Sequence, residues 1–347
     1  MKILYVSMHE VLEDEEILLL KELGHEVFSL GFSSTEEGRA YRPNLFNHQN
    51  DSNISKKWEE LQINPASYSP GFYHYVKLTK DFVDNFDVII VMHSPTFIET
   101  NWDVMKHKTV IWRTIGQSLE TTENFMAPYR AQGMKIIRYS PKERDIPGFI
   151  GEDGLIRFYK DENQYGNWNG QKSQVITFSR IMMYADKYRH YTFFEETTRP
   201  FQRALFGLDS EKVGSWGKGM VPFEQLKQEL CDNRVYFYTG TWPASYTLNF
   251  IEAWMTGIPI VAIGPSLGNL KHHGSNYNLY EIPSLIEHGR TGFFSDNPLE
   301  LQEYIRNLFQ STALSQQISS EARKKAISIF GKNVALRAWN DFLNNEL

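Results

Sequence analysis

Short apolar runs alternate with amphipathic segments along most of the chain. In the first half, five runs have the length and residue types of strands: Lys2–Ser7, His25–Leu30, Asp87–Met92, Thr109–Arg113 and Lys135–Tyr139. Between the first two, Val11–Leu23 repeats apolar residues at helical spacing and stops at Gly24. This alternation predicts strand–helix units that build a parallel sheet.

The second half repeats this pattern after a segment rich in glycine, proline, aspartate and asparagine. The segment, Pro141–Asn169, closes with Gly-Asn-Trp-Asn-Gly, and we place an interdomain hinge there. The elements predicted beyond it are strands at Gln174–Phe178, Phe201–Phe206, Val235–Tyr238 and Ile260–Ile263, and helices at Phe223–Leu230, Pro298–Phe309, Ser315–Phe330 and Val334–Leu347. The fold class is therefore α/β, with domains at residues 1–170 and 171–330.

Two stretches of the first half are harder to place. Ser33–Asn64 is polar and poor in periodicity, so we expect an irregular insertion with one short helix at most. Tyr73–Asn85 carries a helical pattern and is predicted to be a helix.

Composition narrows the function classes. With 347 residues the chain is too long for one typical core, and its net charge of −6 gives no general attraction to nucleic acid. The single cysteine, Cys231, excludes an intrachain disulfide and favours the cytoplasm. No stretch approaches the roughly 18–20 apolar residues of a membrane span, although peripheral contact with the inner face of a membrane is left open.

The stretch Val235–Gly264 carries the most chemistry. It predicts a strand, a loop, a helix and a second buried strand. Glu252 lies inside the otherwise apolar helix, where an unpaired carboxylate would be costly. It either faces solvent or a cap, or it contacts a ligand at the carboxyl end of the sheet, where α/β folds bind ligands. The helix start would offer N–H groups and positive dipole to a phosphate.

The sequence Ile-Glu-Ala-Trp-Met-Thr-Gly-Ile-Pro-Ile-Val-Ala resembles the EAxxxGxPVVA segment of retaining glycosyltransferases of family four, which have the GT-B fold. The resemblance implies two Rossmann-like domains facing across a cleft. It also implies that Glu252 binds the ribose of a nucleotide-sugar donor. The backbone amides of Ser245, Tyr246, Thr247 and Leu248 would hold the diphosphate. The first carboxylate of the family's Glu-x7-Glu motif, which contacts the transferred sugar, is replaced by Ala244.

The same resemblance implies a pair of cations for the diphosphate. Arg180 follows a predicted strand, as the family's arginine does, and Lys187 is the nearest candidate for its lysine, with Arg189 beside it. Positive charge is what the departure of a nucleoside diphosphate requires. The alternative for Lys187 or Arg189 is a surface salt bridge.

Three further residues are assigned by the resemblance. Met220 and Val221, in a turn before a predicted helix, would line the nucleobase, although Gly-x-x-Pro is also a common helix start. His93 follows a buried strand and would contact the transferred sugar. A hydrogen-bonded histidine at a strand terminus is the alternative.

The expected function is transfer of a sugar from a UDP-sugar, for example UDP-glucose, to a hydroxyl of a saccharide or glycolipid acceptor with retention, in polysaccharide biosynthesis. The family implies that residues 1–170 bind the acceptor, that residues 171–330 bind the donor, and that the terminal helix at 331–347 packs back on the first domain. No cofactor and no metal are expected. The adjacent His272 and His273 lack accompanying ligands, which argues against a metal.

Three alternatives stay open at this point. A nucleotide-sugar epimerase shares the fold but needs acids and bases around the sugar. A DNA-base glucosyltransferase predicts a basic cleft, which the acidic balance disfavours. A catalytically silent binding or scaffold protein is favoured by the loss of two family carboxylates, at Ala244 and Ser284.

Overall fold

The computed structural model describes residues 1–7, 9–30, 52–61 and 76–345, and the chain divides into two compact units. The first unit comprises Met1–Phe158 and Ala335–Leu347, and the second comprises Tyr159–Val334. The first stretch of the first unit thus ends inside the segment Pro141–Asn169, before the closing Gly-Asn-Trp-Asn-Gly at which the sequence analysis places the hinge. Among the described residues, no helix combines the length and the apolar character needed to cross a bilayer.

Six parallel strands form the sheet of the first unit, in the order β2-β1-β3-β4-β5-β6. The strands are β1 Lys2–Val6, β2 Glu26–Ser29, β3 Val88–Met92, β4 Thr109–Arg113, β5 Lys135–Arg138 and β6 Gly154–Leu155. The helices are Glu10–Glu22, Ser52–Leu61, Lys80–Val83, Pro95–Met105, Glu120–Ala131 and the 3-10 helix Pro141–Asp145. Every residue of β3 is buried, as expected for a parallel strand covered on both faces.

The second unit has a five-stranded parallel sheet in the order β13-β10-β9-β7-β8. Its strands are β7 Lys172–Phe178, β8 Arg203–Phe206, β9 Asn233–Tyr238, β10 Ile260–Ile263 and β13 Phe293–Ser295, with a separate hairpin of β11 Lys271–His272 and β12 Ser275–Asn276. The helices are Asp186–Arg189, Tyr191–Thr198, Phe223–Asp232, Leu248–Thr256, Pro265–Gly268, Ile282–Leu285, Pro298–Gln310 and Thr312–Phe330, and Met182–Tyr184 and Ser210–Val213 are 3-10 helices.

Both sheets reverse their strand order at one place. In the first unit the order turns between β1 and β3, and in the second it turns between β7 and β9. Successive crossovers leave a crevice at the carboxyl ends of two such strands, and open α/β sheets bind ligands there. The topology therefore directs attention to the residues that follow β1 and β3, and to those that follow β7 and β9.

Buried ion pairs hold charged groups inside the first unit. The guanidinium of Arg138 donates to both carboxylate oxygens of Glu123, at 2.6 and 2.7 Å, and both side chains are inaccessible to solvent. Arg113 donates to Glu16 at 2.7 Å and packs over the ring of Phe158 at 4.4 Å. Because each charge has its partner, neither pair leaves an uncompensated ion in the core.

The last helix, Lys332–Asn345, begins in the second unit and continues in the first. Within the first unit, the ring of Trp339 lies 5.9 Å from the guanidinium of Arg113. Phe342 fills the space beside Gly154, where an added Cβ would lie 2.7 Å from its ring. The apolar face seen in the sequence of this helix is therefore buried against β4 and β6.

The α/β fold class is confirmed, and one predicted helix is wrong over most of its length. Of the predicted helix Tyr73–Asn85, residues 73–75 lie outside the described residues, and among residues 76–85 only Lys80–Val83 is helical. The side chain of Asn101 holds the preceding backbone extended. It accepts from the N–H of Leu78 at 2.7 Å and donates to the carbonyl of Val76 at 2.9 Å. A distant side chain thus overrides the local pattern. Of the predicted insertion, residues 52–61 are described, and they are helical.

A buried carboxyl group lies at the carboxyl ends of β4 and β5. Glu143 Oε2 accepts from the hydroxyl of Thr114 at 2.7 Å and from the N–H of Tyr139 at 3.0 Å. Its Oε1 has no hydrogen-bond partner within the described part of the chain. Burial raises the pKa of Glu143 to about 7, although Arg138 and the two hydrogen bonds oppose the rise.

This carboxyl group predicts a pH-dependent stability. Between pH 4.5 and about 7 the folded protein holds a proton on Glu143 that the unfolded chain releases. The free energy of unfolding should therefore fall as pH rises through that window, by up to about 3 kcal/mol. Glu143→Gln has no such proton and should lack this contribution. Urea unfolding of both proteins at about pH 5 and about pH 8 measures the difference. The same pH dependence in both proteins would contradict the prediction.

Candidate functional site

The helix Leu248–Thr256 starts at the place where the second sheet reverses. The helix follows β9 and a loop. The side-chain amide of Asn249 donates to the carbonyl of Phe178 at 2.9 Å, and this bond ties the helix start to the end of β7. The N–H groups of the first turn have no acceptor within the helix. Because the helix dipole adds positive character, this end can receive an anion.

The loop before the helix is partly locked into the core. Ser245 and Tyr246 are buried. The carbonyl of Ser245 accepts from the N–H of Glu281 at 3.0 Å, and the ring of Tyr246 meets Phe330 edge-to-face at 5.1 Å. Thr247 and Leu248 are half-buried. The structure thus brings all four predicted diphosphate residues to the helix start, with the last two more accessible than the first two.

Two arginines whose charges act on each other follow β7, the strand to which this helix start is tied. Arg180 follows β7 and is exposed, and Arg189 is half-buried. Burial lowers the pKa of Arg189, and the like charge of Arg180 lowers it further. Arg189 Nη1 is buried without a hydrogen-bond partner in the described ranges. Two cations held near each other without a carboxylate repel, and an anion between them would relieve the repulsion.

Lys187 is placed differently from the two arginines. It is exposed, its Nζ lies 5.4 Å from the centre of the Tyr188 ring, and it faces His272. Burial, His273 and then Lys187 lower the pKa of His272. The structure therefore brings Arg180 together with Arg189, whereas Lys187 lies on the side of His272. The sequence pattern offered both Lys187 and Arg189 as the second cation for the diphosphate, and no local feature distinguished them.

Glu252 is fully buried and paired. Its Oε1 lies 3.1 Å from Lys160 Nζ and 3.4 Å from the hydroxyl of Tyr165. The Lys160 and Glu252 side chains are only 2% and 1% exposed. A ribose hydroxyl that reached this carboxylate would share it with Lys160 or take the place of Tyr165. No local pattern identifies Lys160 as a site residue, because it lies in a distant, irregular segment of the chain.

Met220 and Val221 lie beyond the end of β8, the neighbour of β7. The N–H of Gly207 donates to the carbonyl of Gly219 at 2.8 Å, which pins this turn to the strand. Gly207 has φ of 128°, and a Cβ there would lie 2.3 Å from the carbonyl oxygen of Ser179. Only glycine fits this close approach. Met220 is 38% exposed and so presents an apolar surface near the site.

Trp242 is a residue that sequence reasoning missed. Its N–H donates to the carbonyl of Tyr188 at 3.0 Å, and its ring stacks on that of Tyr188 with centroids 5.4 Å apart and planes 17° apart. The tryptophan stands in an irregular loop with no periodicity, so the sequence carried no signal for it. It lies four residues after the end of β9, in the loop that follows this strand at the reversal of the second sheet.

His93 belongs to the first unit, where it follows β3 at the reversal of that sheet. Its φ of 44° is left-handed, and its N–H donates to the carbonyl of Arg113 at 3.0 Å. A non-glycine residue in this conformation is uncommon and often marks a functional turn. His9 follows β1 on the neighbouring strand and caps the helix Glu10–Glu22 by accepting from the N–H of Leu12 at 3.4 Å.

Two adjacent histidines had raised the question of a metal. In the described part of the chain, no group of three or more His, Cys, Asp or Glu side chains is arranged to hold a metal ion. His272 and His273 pack against each other with ring centroids 4.1 Å apart, and His272 also packs against Trp242 at 5.0 Å.

The Lys160–Glu252 pair predicts a large effect on stability. Lys160→Met should leave a buried carboxylate without its cation and lower the free energy of unfolding by about 3–5 kcal/mol. Adding Glu252→Gln should recover part of this loss, because the buried charge is then removed. Lys324→Met, which breaks an exposed pair with Glu321, should unfold close to wild type. Urea unfolding measures all three, and a Lys160→Met protein as stable as Lys324→Met would exclude a buried charge pair.

Comparison with known proteins places this geometry in a known fold. No protein-family model matches the chain, and no curated protein matches its sequence. HepE from Anabaena, solved in complex with UDP-glucose, has a TM-score of 0.66 at 14% identity, with 99% of this chain and 100% of that chain covered. A glycosyltransferase from Rickettsia africae has a TM-score of 0.64 at 14% identity, with 99% of each chain covered. AviGT4, a glycosyltransferase involved in avilamycin A biosynthesis, has a TM-score of 0.60 at 14% identity, covering 99% of this chain and 97% of that chain.

These likenesses extend over nearly the whole chain, and at this identity they concern the fold alone. The two parallel sheets and their order agree with them. The chain therefore has the GT-B fold that the Ile-Glu-Ala-Trp-Met-Thr-Gly-Ile-Pro segment led us to expect.

Proposed function

We propose that this protein is a glycosyltransferase that transfers a sugar from a UDP-sugar to a hydroxyl of a saccharide or glycolipid. One observation carries the proposal: the charges of Arg180 and Arg189 act on each other without a carboxylate partner in the described part of the chain, and Arg180 follows the strand end to which the helix Leu248–Thr256 is tied. A diphosphate is a ligand of matching charge and size for two guanidinium groups and a helix N-terminus. HepE, which shares the fold, has been solved with UDP-glucose and with UDP and glucose.

We assign the remaining donor contacts to other residues of the second unit. Met220 and Val221, beyond β8, are assigned to the nucleobase. Glu252 is assigned to the ribose, with Lys160 as the present partner of its carboxylate. The assignment of His93 to the transferred sugar rests on the family resemblance alone.

The proposed chemistry needs positioning and charge more than it needs a protein nucleophile. As the bond between sugar and diphosphate breaks, negative charge grows on the leaving oxygen, and the two arginines and the helix start stabilise it. In the retaining reaction that we propose, the departing diphosphate accepts the proton of the incoming hydroxyl on the same face of the sugar. The protein holds the reactants in line for that exchange. Polysaccharide assembly in the cytoplasm, at or near the inner face of the membrane, is the setting we propose.

A catalytically silent donor-binding protein is the second candidate. The observation that favours it is Glu252, whose carboxylate is already paired inside the protein. Ala244 and Ser284 also supply no carboxylate where the related family has one. Such a protein would bind the nucleotide sugar but would not transfer the sugar. Nucleotide binding without hydrolysis or transfer across a panel of saccharide acceptors would support this candidate.

The first test of the proposed function is thermal stability in the presence of UDP, GDP, ADP and their common sugar conjugates, with and without a chelator. A ligand that binds only the folded protein adds about 2.7 kcal/mol of stability at a hundred times its Kd. We expect UDP and one or more UDP-sugars to raise the Tm, with no effect of the chelator. If none of these ligands raises the Tm, the donor-site argument fails.

A second test distinguishes which of the cationic side chains bind the diphosphate. Arg180→Gln and Arg189→Gln should each weaken UDP binding about tenfold or more, because each removes a charge-assisted hydrogen bond to phosphate. Lys187→Gln is the matched control and should stay within about threefold of wild type, since a charge outside the contact is largely screened. Isothermal titration calorimetry with UDP measures the three Kd values. If Lys187→Gln weakens UDP binding while Arg189→Gln binds UDP like the wild type, the lysine that the sequence first suggested is favoured instead.

A further inference from the structure

Trp242 is the centre of an aromatic cluster in the second unit. Its ring stacks on Tyr188 at 5.4 Å, meets Tyr277 edge-to-face at 6.2 Å and packs against His272 at 5.0 Å. We call these four residues the aromatic platform. Trp242 itself is only half-buried, so part of its ring faces outward. Its backbone is held by the hydrogen bond to Tyr188, and its ring is held by the three ring contacts.

The indole N–H of Trp242 is buried and has no acceptor among the described residues. Tryptophan N–H groups usually find a partner when they are buried, and leaving one unmet is costly. A hydrogen bond from this N–H therefore requires an acceptor that is not part of the described chain. Ala244, two residues on, has no polar side chain with which to supply one.

A second donor without a partner lies close by. Arg189 Nη1 is also buried without a hydrogen-bond partner in the described ranges, and Arg189 directly follows Tyr188, the residue on which Trp242 stacks. One unmet donor thus belongs to the residue that stacks on Tyr188, and the other belongs to the residue that follows Tyr188 in the chain. A ligand that carries oxygen acceptors on adjoining groups would satisfy both at once.

The order of the strands indicates which part of such a ligand reaches Trp242. β8, β7 and β9 are consecutive neighbours in the sheet, so the residues that follow them lie side by side along its carboxyl edge. Met220 follows β8, Arg180 follows β7, and Trp242 follows β9. A nucleotide sugar is linear, with its diphosphate between the nucleoside and the sugar. With the base near Met220 and the diphosphate at Arg180 and Arg189, the next group to reach Trp242 is the sugar.

We propose that the aromatic platform binds the transferred sugar of the donor and that Trp242 Nε1–H donates a hydrogen bond to one of its hydroxyl oxygens. This inference rests on the proposed function. A pyranose ring combines an apolar C–H face with polar edges, and tryptophan combines an apolar ring with one N–H donor. Trp242 is thereby a specificity-determining residue, because it favours a sugar that places a hydroxyl within hydrogen-bond distance of the indole N–H.

The experiment compares wild type, Trp242→Phe and Trp216→Phe. Phenylalanine keeps a ring in the platform but removes the N–H. Trp216 is a matched control, because it stacks on Tyr191 at 6.3 Å and lies under the guanidinium of Arg203, outside the platform. For each protein, calorimetry gives the Kd for UDP and for UDP-glucose, UDP-galactose and UDP-N-acetylglucosamine.

In Trp242→Phe we expect the Kd for UDP to stay within about twofold of wild type. The ratio of the Kd for UDP to that for the preferred UDP-sugar should fall about three- to tenfold, the effect of one neutral hydrogen bond. Trp216→Phe should keep the wild-type ratio. An unchanged ratio in Trp242→Phe, with UDP still bound, overturns this inference and leaves the proposed function intact. A wild-type protein that binds neither UDP nor any UDP-sugar overturns both.

A second measurement does not depend on the affinity of a variant. The chain has eight tryptophans, so a nitrogen-15 spectrum of the indole N–H groups is simple enough to follow. The Trp242 signal is the one that Trp242→Phe lacks. In wild type, the preferred UDP-sugar should move this signal further than UDP does. Equal movement with UDP and with the UDP-sugar would assign the N–H to the nucleotide and would falsify the sugar contact.

Discussion

The ion pair between Lys160 and Glu252 ties the first segment of the second unit to the helix whose N-terminus forms the candidate site. Neither charge is accessible to solvent, so neither could remain if the other left. The same segment is held at other points. The N–H of Lys160 donates to the carbonyl of Phe330 at 2.9 Å, and Arg323 donates to the carbonyls of Glu162 and Met255. The segment, the site helix and the helix Thr312–Phe330 therefore form one body, and the site is built on it.

That rigid support explains how the site can keep a feature that is unfavourable on its own. Burial lowers the pKa of Arg189, and the like charge of Arg180 lowers it further, so the two arginines repel each other. The rest of the chain is acidic, with a net charge of −6, so acids to neutralise them were available in the sequence. Within the described part of the chain no acid pairs with them, which is locally unfavourable electrostatics, and proteins retain such features mainly at functional sites. A small cationic site in an acidic protein favours a small anion over a nucleic acid.

The sequence predicted most strands to within a residue or two, because buried parallel strands are short continuous apolar runs. It also identified the helix after β9, since Gly257 and Pro259 end that helix clearly. The residues that pair with or support the site could not be predicted from the sequence. Lys160 pairs with Glu252 across 92 positions of the chain numbering, and no local pattern marks either as the other's partner. Trp242 lies in a loop, where periodicity carries no information. Arg189 and Lys187 are two residues apart, and only the turn at His190, with φ of 54°, and the short helix before it decide which one faces Arg180.

Three acids of the second unit bear on the choice between transfer and epimerisation. Asp186 accepts from the N–H and the hydroxyl of Thr192, at 2.7 and 2.8 Å, and so holds the start of the helix Tyr191–Thr198. Asp296 accepts from the N–H groups of Ser266 and Leu267 at 3.0 and 2.9 Å. Both carboxylates are thus committed to helix starts, and Glu252 is committed to Lys160. An epimerase must move protons with side-chain acids and bases at the sugar, whereas a transferase whose leaving diphosphate accepts the proton requires none. The way in which the second unit uses its carboxylates therefore favours transfer.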